Sequence, residues 1–313
     1  MAVVKSFSEF DLLDLETVKE ILNRFLYRDF VDDEMARHVT VEDPNFDPSL
    51  AYLALDGGDI VGILIGAVRR VAPVELLDKH RGIAWIKVIA VDERRPDRDR
   101  VFDALLYRFL DDAKSMGVEE VRYGNFVSWY LFPGIDLGYE YTLHKLLENG
   151  FERYDQCVDY EVDLQMFWIP RRVVEREERL KREGIVVRKG VRGEEHRVAS
   201  WVLQRFGAAW KQEVLFAYTK RRKPTILIAE RDGEILGFAC YSALHTTWFG
   251  PIGVAEEARG LGIGTVLLYR ALEAMRLNGV RIARIPWTNH LFFYTQLENI
   301  VNVRHFWMVR RKL

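Results

Sequence analysis

The segment best suited to chemistry in this 313-residue chain runs from Val254 to Gly264 and reads VAEEARGLGIG. Glycines at 260, 262 and 264 let the backbone curl so that successive N–H groups face one point. The amphipathic stretch that follows, TVLLYRALEAMR, adds a helix N-terminus with unpaired donors and the positive end of its dipole. Such a nest suits a phosphate or diphosphate, and Arg259 sets a cation at its entrance. An ordinary glycine-rich strand-to-helix turn would have the same composition. Two other phosphate loops are excluded. GxxxxGK followed by Ser or Thr does not occur, and GxGxxG fails because Thr265 stands where the third glycine belongs.

The elements that must position this turn belong to an internal repeat. LALDGGDIVG (53–62) parallels IAERDGEILG (228–237), each an apolar run, a polar Gly turn and a second apolar run, which predicts a β-hairpin in both copies. Leu105-Leu106-Tyr107-Arg108 recurs as Leu267-Leu268-Tyr269-Arg270 in a helical pattern closed by Gly117 and Gly279. Leu147-Glu148-Asn149 recurs as Leu297-Glu298-Asn299 ahead of the last strand or strands. Each copy opens with a short strand and a helix. The order hairpin, strand, helix, strand, helix, strand predicts an α/β fold with a mixed sheet in each copy. The first copy is read as 1–163 and the second as 185–313. Between them, over 164–184, Pro170 precedes RRVVEREERLKREG, a strongly charged helix with few apolar positions that reads as a solvated connector.

Composition removes other classes. Half the residues are hydrophobic, with 49% by count, and nothing is of low complexity, so a disordered or fibrous chain is excluded. Cys157 and Cys240 stand far apart without metal-ligand spacing, which excludes a disulfide scaffold and a cysteine-based zinc site; no metal is expected. No apolar run approaches the roughly 20 residues of a membrane span, and no signal segment opens the chain, so a soluble, cytoplasmic protein without a membrane partner is expected. Charge is divided unevenly. Residues 1–163 hold 19 Lys+Arg against 33 Asp+Glu, and 164–313 hold 26 against 14. The half that carries the glycine turn is therefore the half that attracts a polyanionic ligand. The basic residues are dispersed without an aromatic-interleaved stripe, and no nucleic-acid partner is expected.

The segment from Arg259 to Gly264, with the strand FGPIGV (249–254) before it and Phe292-Phe293-Tyr294 after the next strand, resembles the coenzyme A signature of the GNAT superfamily of acetyl-CoA-dependent N-acetyltransferases. The RxxGxG pattern is complete. The resemblance implies two tandem GNAT-like domains joined by the charged helix. It further implies acetyl-CoA as co-substrate and direct acetyl transfer to an amine, carried by a small molecule or a peptide. In that family the thioester arm pairs with the backbone of the strand through Ile252 and Val254. The diphosphate rests on Arg259, Gly260, Leu261, Gly262, Ile263, Gly264 and Thr265. Tyr294 matches the general-acid tyrosine that protonates the leaving thiolate.

The base is open among three residues. His245 precedes the FGPIGV strand, and an imidazole with a pKa of about 6.5 suits the role; Glu213 and Glu256 are the alternatives. Trp201, Phe206, Trp210, Phe216 and Tyr218 fall where the family builds its acceptor wall, although core packing accounts for Trp201 and Phe206. In the first copy Asp97, Arg98, Arg100 and Phe102 stand opposite Arg259, Gly260, Gly262 and Gly264, so no glycine survives and one coenzyme site per chain is expected. The aromatic and acidic insertion PGIDLGYEY (133–141) either lines a cationic pocket through Asp136 or Glu140, or is a turn with its tyrosines packed inside. A fused pair of similar domains replaces a homodimer, so a monomer is expected. The alternative to a transferase is a non-catalytic acyl-CoA-binding sensor.

Overall fold

The computed structural model describes residues 2–10 and 14–313, and both repeats are visible in its order of elements. The first gives β1 (Val3–Ser6), α1 (Leu15–Phe25), α2 (Asp33–Val39), β2 (Ala51–Asp56), β3 (Asp59–Val68), β4 (Ile83–Val91), α3 (Arg98–Ser115), β5 (Glu120–Tyr123), β6 (Ile135–Asp136), α4 (Glu140–Glu148) and β7 (Glu152–Asp163). After α5 (Arg171–Arg182), the second gives β8 (Val186–Lys189), α6 (Glu195–Phe206), α7 (Ala208–Thr219), β9 (Ile226–Arg231), β10 (Glu234–Tyr241), β11 (Phe249–Val254), α8 (Ile263–Leu277), β12 (Ile282–Thr288), α9 (Leu291–Tyr294) and β13 (Ile300–Lys312). Both expected hairpins are present. Their two-residue turns, Gly57-Gly58 and Asp232-Gly233, have positive φ throughout, which matches the twist of the strands they join.

Packing divides the chain differently from the repeat. One compact unit holds residues 1–157 together with 304–313, and the other holds 158–303. In the first unit β1, β2, β3 and β4 pair antiparallel in sequence order, and β5 joins β4 in parallel. The far edge of β5 is covered by the end of β13, with Val309 opposite Tyr123 and Lys312 opposite Glu120. In the second unit β8, β9, β10 and β11 form an antiparallel sheet, while β12 pairs with the end of β7, Ile282 opposite Asp163 and Ile285 opposite Tyr160. The final strand of each repeat thus contributes to the unit formed mainly by the other. It is this packing boundary, and not the repeat read as 185–313, that divides β13: Phe306, Met308 and Val309 are buried in the first unit, Phe306 opposite Asp136 on β6 and Val309 opposite Tyr123 on β5.

The connecting helix also departs from expectation. Pro170 caps α5 and Gly184, at φ +79, follows its end, but the helix is not merely solvated. Val173, Glu177 and Leu180 recur at i, i+4 and i+7 and are buried, and Val173 and Leu180 share a core cluster with residues of α8. The Glu177 carboxylate in that stripe is offset by Arg270 on α8, at 2.5 Å. The insertion 133–141 takes its packed form. Asp136 is buried against Arg304 and the Tyr139 hydroxyl donates to Asp29 at 2.9 Å, whereas Glu140 is exposed at the start of α4.

The strand assignment has a direct consequence for stability. Ending the chain after Val303 removes no residue of the second unit, yet it is expected to lower the unfolding temperature of the first and to expose the β5 amides to hydrogen exchange. Phe306→Ala, at a fully buried position, should cost about 3–5 kcal/mol in chemical denaturation.

Candidate active site

The glycine turn links β11 to α8 as the sequence requires. After a short 3-10 turn at Glu256–Ala258, Arg259 is extended, Gly260 has φ +84, and Gly262, the residue capping α8, has φ +90. Two left-handed residues so close together aim the main chain's donors outward instead of into the protein. Among the described residues, no protein acceptor receives an N–H from Gly260, Leu261, Gly262, Ile263, Gly264 or Thr265. Six consecutive unpaired donors at the positive end of a fifteen-residue helix are a ready anion site. Arg259 is exposed beside them, 4.0 Å from Glu256.

Next to the turn, the sheet opens. β11 is paired with β10 along one edge, but towards β12 the one bridge among the described residues is Trp248 with Arg284. Beyond that vertex the two strands separate, leaving the backbone edge of β11 through Ile252 and Val254 without a strand partner on that side. Ile252, Val254, Phe293 and Tyr294 all belong with the α8-side core. Tyr294 is buried between ring neighbours from β7, β11 and α9: Tyr160 at 5.7 Å, Phe249 at 6.5 Å and Phe293 at 5.0 Å between centroids. Burial raises its phenol well above the usual range, with the Thr288 hydroxyl opposing that shift, so it stays a proton donor at any ordinary pH. Phe293 lies over Gly264, where an added Cβ would meet its ring at 3.4 Å.

The opposite face of β11 carries a different set. A Cβ on Gly253 would come within 2.7 Å of the Phe206 ring, which stacks on Trp210 at 5.2 Å. Three residues further along α7 is Glu213, buried with no opposing cation among the described residues, and burial pushes its carboxyl up to about 8. Of the expected wall residues, Tyr218 belongs to the core: it is buried, and its hydroxyl donates to Glu194 at 3.2 Å. His245 sits in the turn before β11. Its Nδ1 accepts the Thr247 N–H at 3.2 Å and lies 2.9 Å from the Thr247 hydroxyl, which leaves the ring proton on Nε2. That lone pair is committed to the turn. Glu256 is exposed in the 3-10 turn.

The equivalent turn in the first copy has none of this geometry. No residue from Asp92 to Arg98 has positive φ, and Arg95 bridges Asp56 and Asp97 at 2.6 and 2.9 Å ahead of α3. Arg98 stacks on Tyr141 and donates to the Glu93 carbonyl. Among the described residues no three His, Cys, Asp or Glu side chains gather as a metal site, and no helix is long and apolar enough to cross a membrane.

Residues 195–291 match the model of the acetyltransferase (GNAT) family. This part of the chain is a GNAT domain. No curated protein matches the chain in sequence. Among solved structures, it is similar to a glucosamine N-acetyltransferase region of a fungal multi-domain GH3 β-N-acetylglucosaminidase, with TM-score 0.78 and 17% identity; the match spans 99% of this chain but only 38% of that one. A GCN5-related N-acetyltransferase from Sphaerobacter thermophilus gives TM-score 0.68 at 15% identity, covering 99% and 95% of the two chains. A tandem GNAT protein from the clavulanic acid biosynthesis pathway gives 0.64 at 16%, covering 100% and 98%. The last two matches, over nearly the whole of both chains, establish the tandem GNAT fold, and the α8 turn lies within the matched residues 195–291.

Two measurements probe the site's construction. Gly262→Ala is expected to cost about 1–2 kcal/mol from its left-handed backbone alone, whereas Gly264→Ala, in a helical conformation with contacts no closer than 3.4 Å, should leave stability unchanged or raised in the same denaturant titration. The Glu213 carboxyl supplies a pH signature. The folded protein keeps that proton up to about 8 while the unfolded chain loses it near 4.3, so the folded state binds more protons between those values and loses stability as pH rises through them. Glu213→Gln should flatten that decline in melting temperature from pH 4.5 to 8.5.

Proposed function

We propose that the protein is an N-acetyltransferase that moves the acetyl group of acetyl-CoA to a primary amine. The second repeat, 185–313, is the transferase, and 1–163 is its degenerate copy. The observation that carries this reading is the run of six unpaired N–H groups from Gly260 to Thr265 beside a sheet that opens between β11 and β12. The donor set fits a diphosphate: main-chain amides, a helix N-terminus and the Arg259 cation, which makes a loose contact with Glu256. The free edge of β11 at Ile252 and Val254 suits an extended amide-bearing arm that pairs as a further strand. When bound, acetyl-CoA supplies an activated acyl thioester.

The chain's own groups divide the remaining work by the two faces of β11. On the α8 side, Tyr294 holds its proton firmly and is the group that would deliver it to a leaving thiolate at the strand opening. On the α7 side, the acceptor amine must lose a proton. Glu213, titrating near neutrality among Phe206 and Trp210, matches that task in pKa, and its carboxylate form attracts an ammonium group. His245 is the less favoured base because its Nδ1 lone pair is held by Thr247. The acceptor class is a primary amine; the glucosamine N-acetyltransferase of similar fold makes an amino sugar a natural first member of a test panel. A cytoplasmic location follows from this choice of donor.

Calorimetry with acetyl-CoA and thiol release with a panel of amino sugars, amino acids, polyamines and peptides tests the proposal. Binding at one site per chain together with acceptor-dependent thiol release is expected; binding without release would make the protein an acyl-CoA sensor, and no binding would end the coenzyme reading. Tyr294→Phe should lower kcat about 10²-fold while leaving acetyl-CoA affinity unchanged. Glu213→Gln should abolish the rise of kcat/KM with pH that is centred near 8 in the wild type.

A further inference from the structure

The connecting helix α5 places one side chain on the glycine turn. Arg176 is half-buried, and its aliphatic stem lies on the open face of Gly262. A Cβ at that glycine would collide with the Arg176 Cδ and lie 2.9 Å from its Nε. From there Nη1 reaches the Thr265 hydroxyl in the first turn of α8, at 3.4 Å. This is a long contact and the sole hydrogen bond of a group with five donors among the described residues. The acids of α5 are engaged elsewhere: Glu175 pairs with Arg171, Glu177 with Arg270 and Glu178 with Lys181. The loop's own acids do not serve it, since Glu257 pairs with Arg205 and Glu256 faces Arg259.

A cation in this position opposes the helix it rests on. Helix N-termini carry the positive end of the dipole and favour anions, and arginines are favoured at the other end. Here a guanidinium without a carboxylate is folded back onto that end, beside six unpaired N–H groups, although a flexible side chain on an exposed helix has solvent available to it. Positive sources gathered in this way are stabilised by an anion shared among them. Gly262 is needed twice in the arrangement, once for its left-handed backbone and once to seat the Arg176 stem.

We propose that Arg176 is a coenzyme-binding residue supplied by the connecting helix, its guanidinium gripping the diphosphate that the Gly260 to Thr265 amides cradle. The inference rests on the coenzyme reading above. It makes α5 part of the active site of the second repeat, so that a segment preceding the GNAT-matched residues 195–291 sets coenzyme affinity.

The test compares donors with and without the diphosphate, in the full-length chain. Arg176→Ala and Arg176→Met are titrated with acetyl-CoA, its 3′-dephospho form and S-acetylpantetheine; the methionine variant keeps an apolar stem over Gly262 and removes only the charge. Both variants are expected to bind acetyl-CoA and the 3′-dephospho form 10- to 100-fold more weakly than the wild type, with Arg176→Lys between them. The steep salt dependence of the wild type should be reduced, and kcat/KM with S-acetylpantetheine should be unchanged. Wild-type affinity in Arg176→Met at an unchanged melting temperature would overturn the proposal. So would a loss that disappears with the 3′-dephospho form or is equal with S-acetylpantetheine. If the wild-type protein itself fails to bind acetyl-CoA, the functional reading falls instead, which the wild-type titration separates from failure of the arginine assignment.

Discussion

The second unit depends on a group of main-chain donors that find no acceptor among the described residues. Backbone N–H groups are ordinarily satisfied, and leaving six in succession unpaired is tolerable only where solvent or a ligand meets them. Two left-handed glycines produce that state at the start of α8. Other features of the site follow from keeping the turn in place. Ile263 and Val266 anchor the first turn of α8 in the core, Ala255 and Ala258 are buried behind the loop, and the Ala255 N–H donates to Leu236 on β10. The helix and the strand are thereby fixed, and the donors between them have no freedom to turn inward.

The sheet supplies the complementary constraint. Because β11 and β12 converge at Trp248 and Arg284 and separate beyond, a backbone edge is left unpaired beside the glycine turn. Arg284 at the vertex is held by the buried Asp159 carboxylate on β7, which also accepts the Trp287 N–H at 2.8 Å. The opening angle is therefore secured by charge and hydrogen bonding at its narrow end, while Phe249, Phe293 and Tyr294 fill the space on the α8 side.

Local features were legible in the sequence and long-range ones were not. The hairpins at Gly57-Gly58 and Asp232-Gly233, the helix ends at Gly117 and Gly279, and the α8 turn are all specified by residues within a few positions of each other, and each stands where the pattern placed it. The loss of the turn in the first copy was equally readable, because replacing glycine at 260 and 262 by arginine at 98 and 100 removes the left-handed conformations. Charge content misled at α5. Its composition is that of a solvated helix, but three residues at helical spacing, Val173, Glu177 and Leu180, were enough to seat it on α8 and bring Arg176 to the turn. Glu213 illustrates the same limit: its identity was visible, whereas the burial that gives its carboxyl a pKa near neutrality arises only when α7 closes on β10 and β11.

The origin of the strand on the far edge of β5 governs how the polypeptide is made. Vectorial synthesis usually lets an N-terminal domain finish folding before the next one emerges. Here residues 304–313, synthesised after the whole of the second unit, complete the sheet begun by residues 3–6. The leading portion must wait, with an uncovered edge at Glu120 to Tyr123, until that strand has been made. Cutting the chain between the repeats would then yield two unfinished sheets.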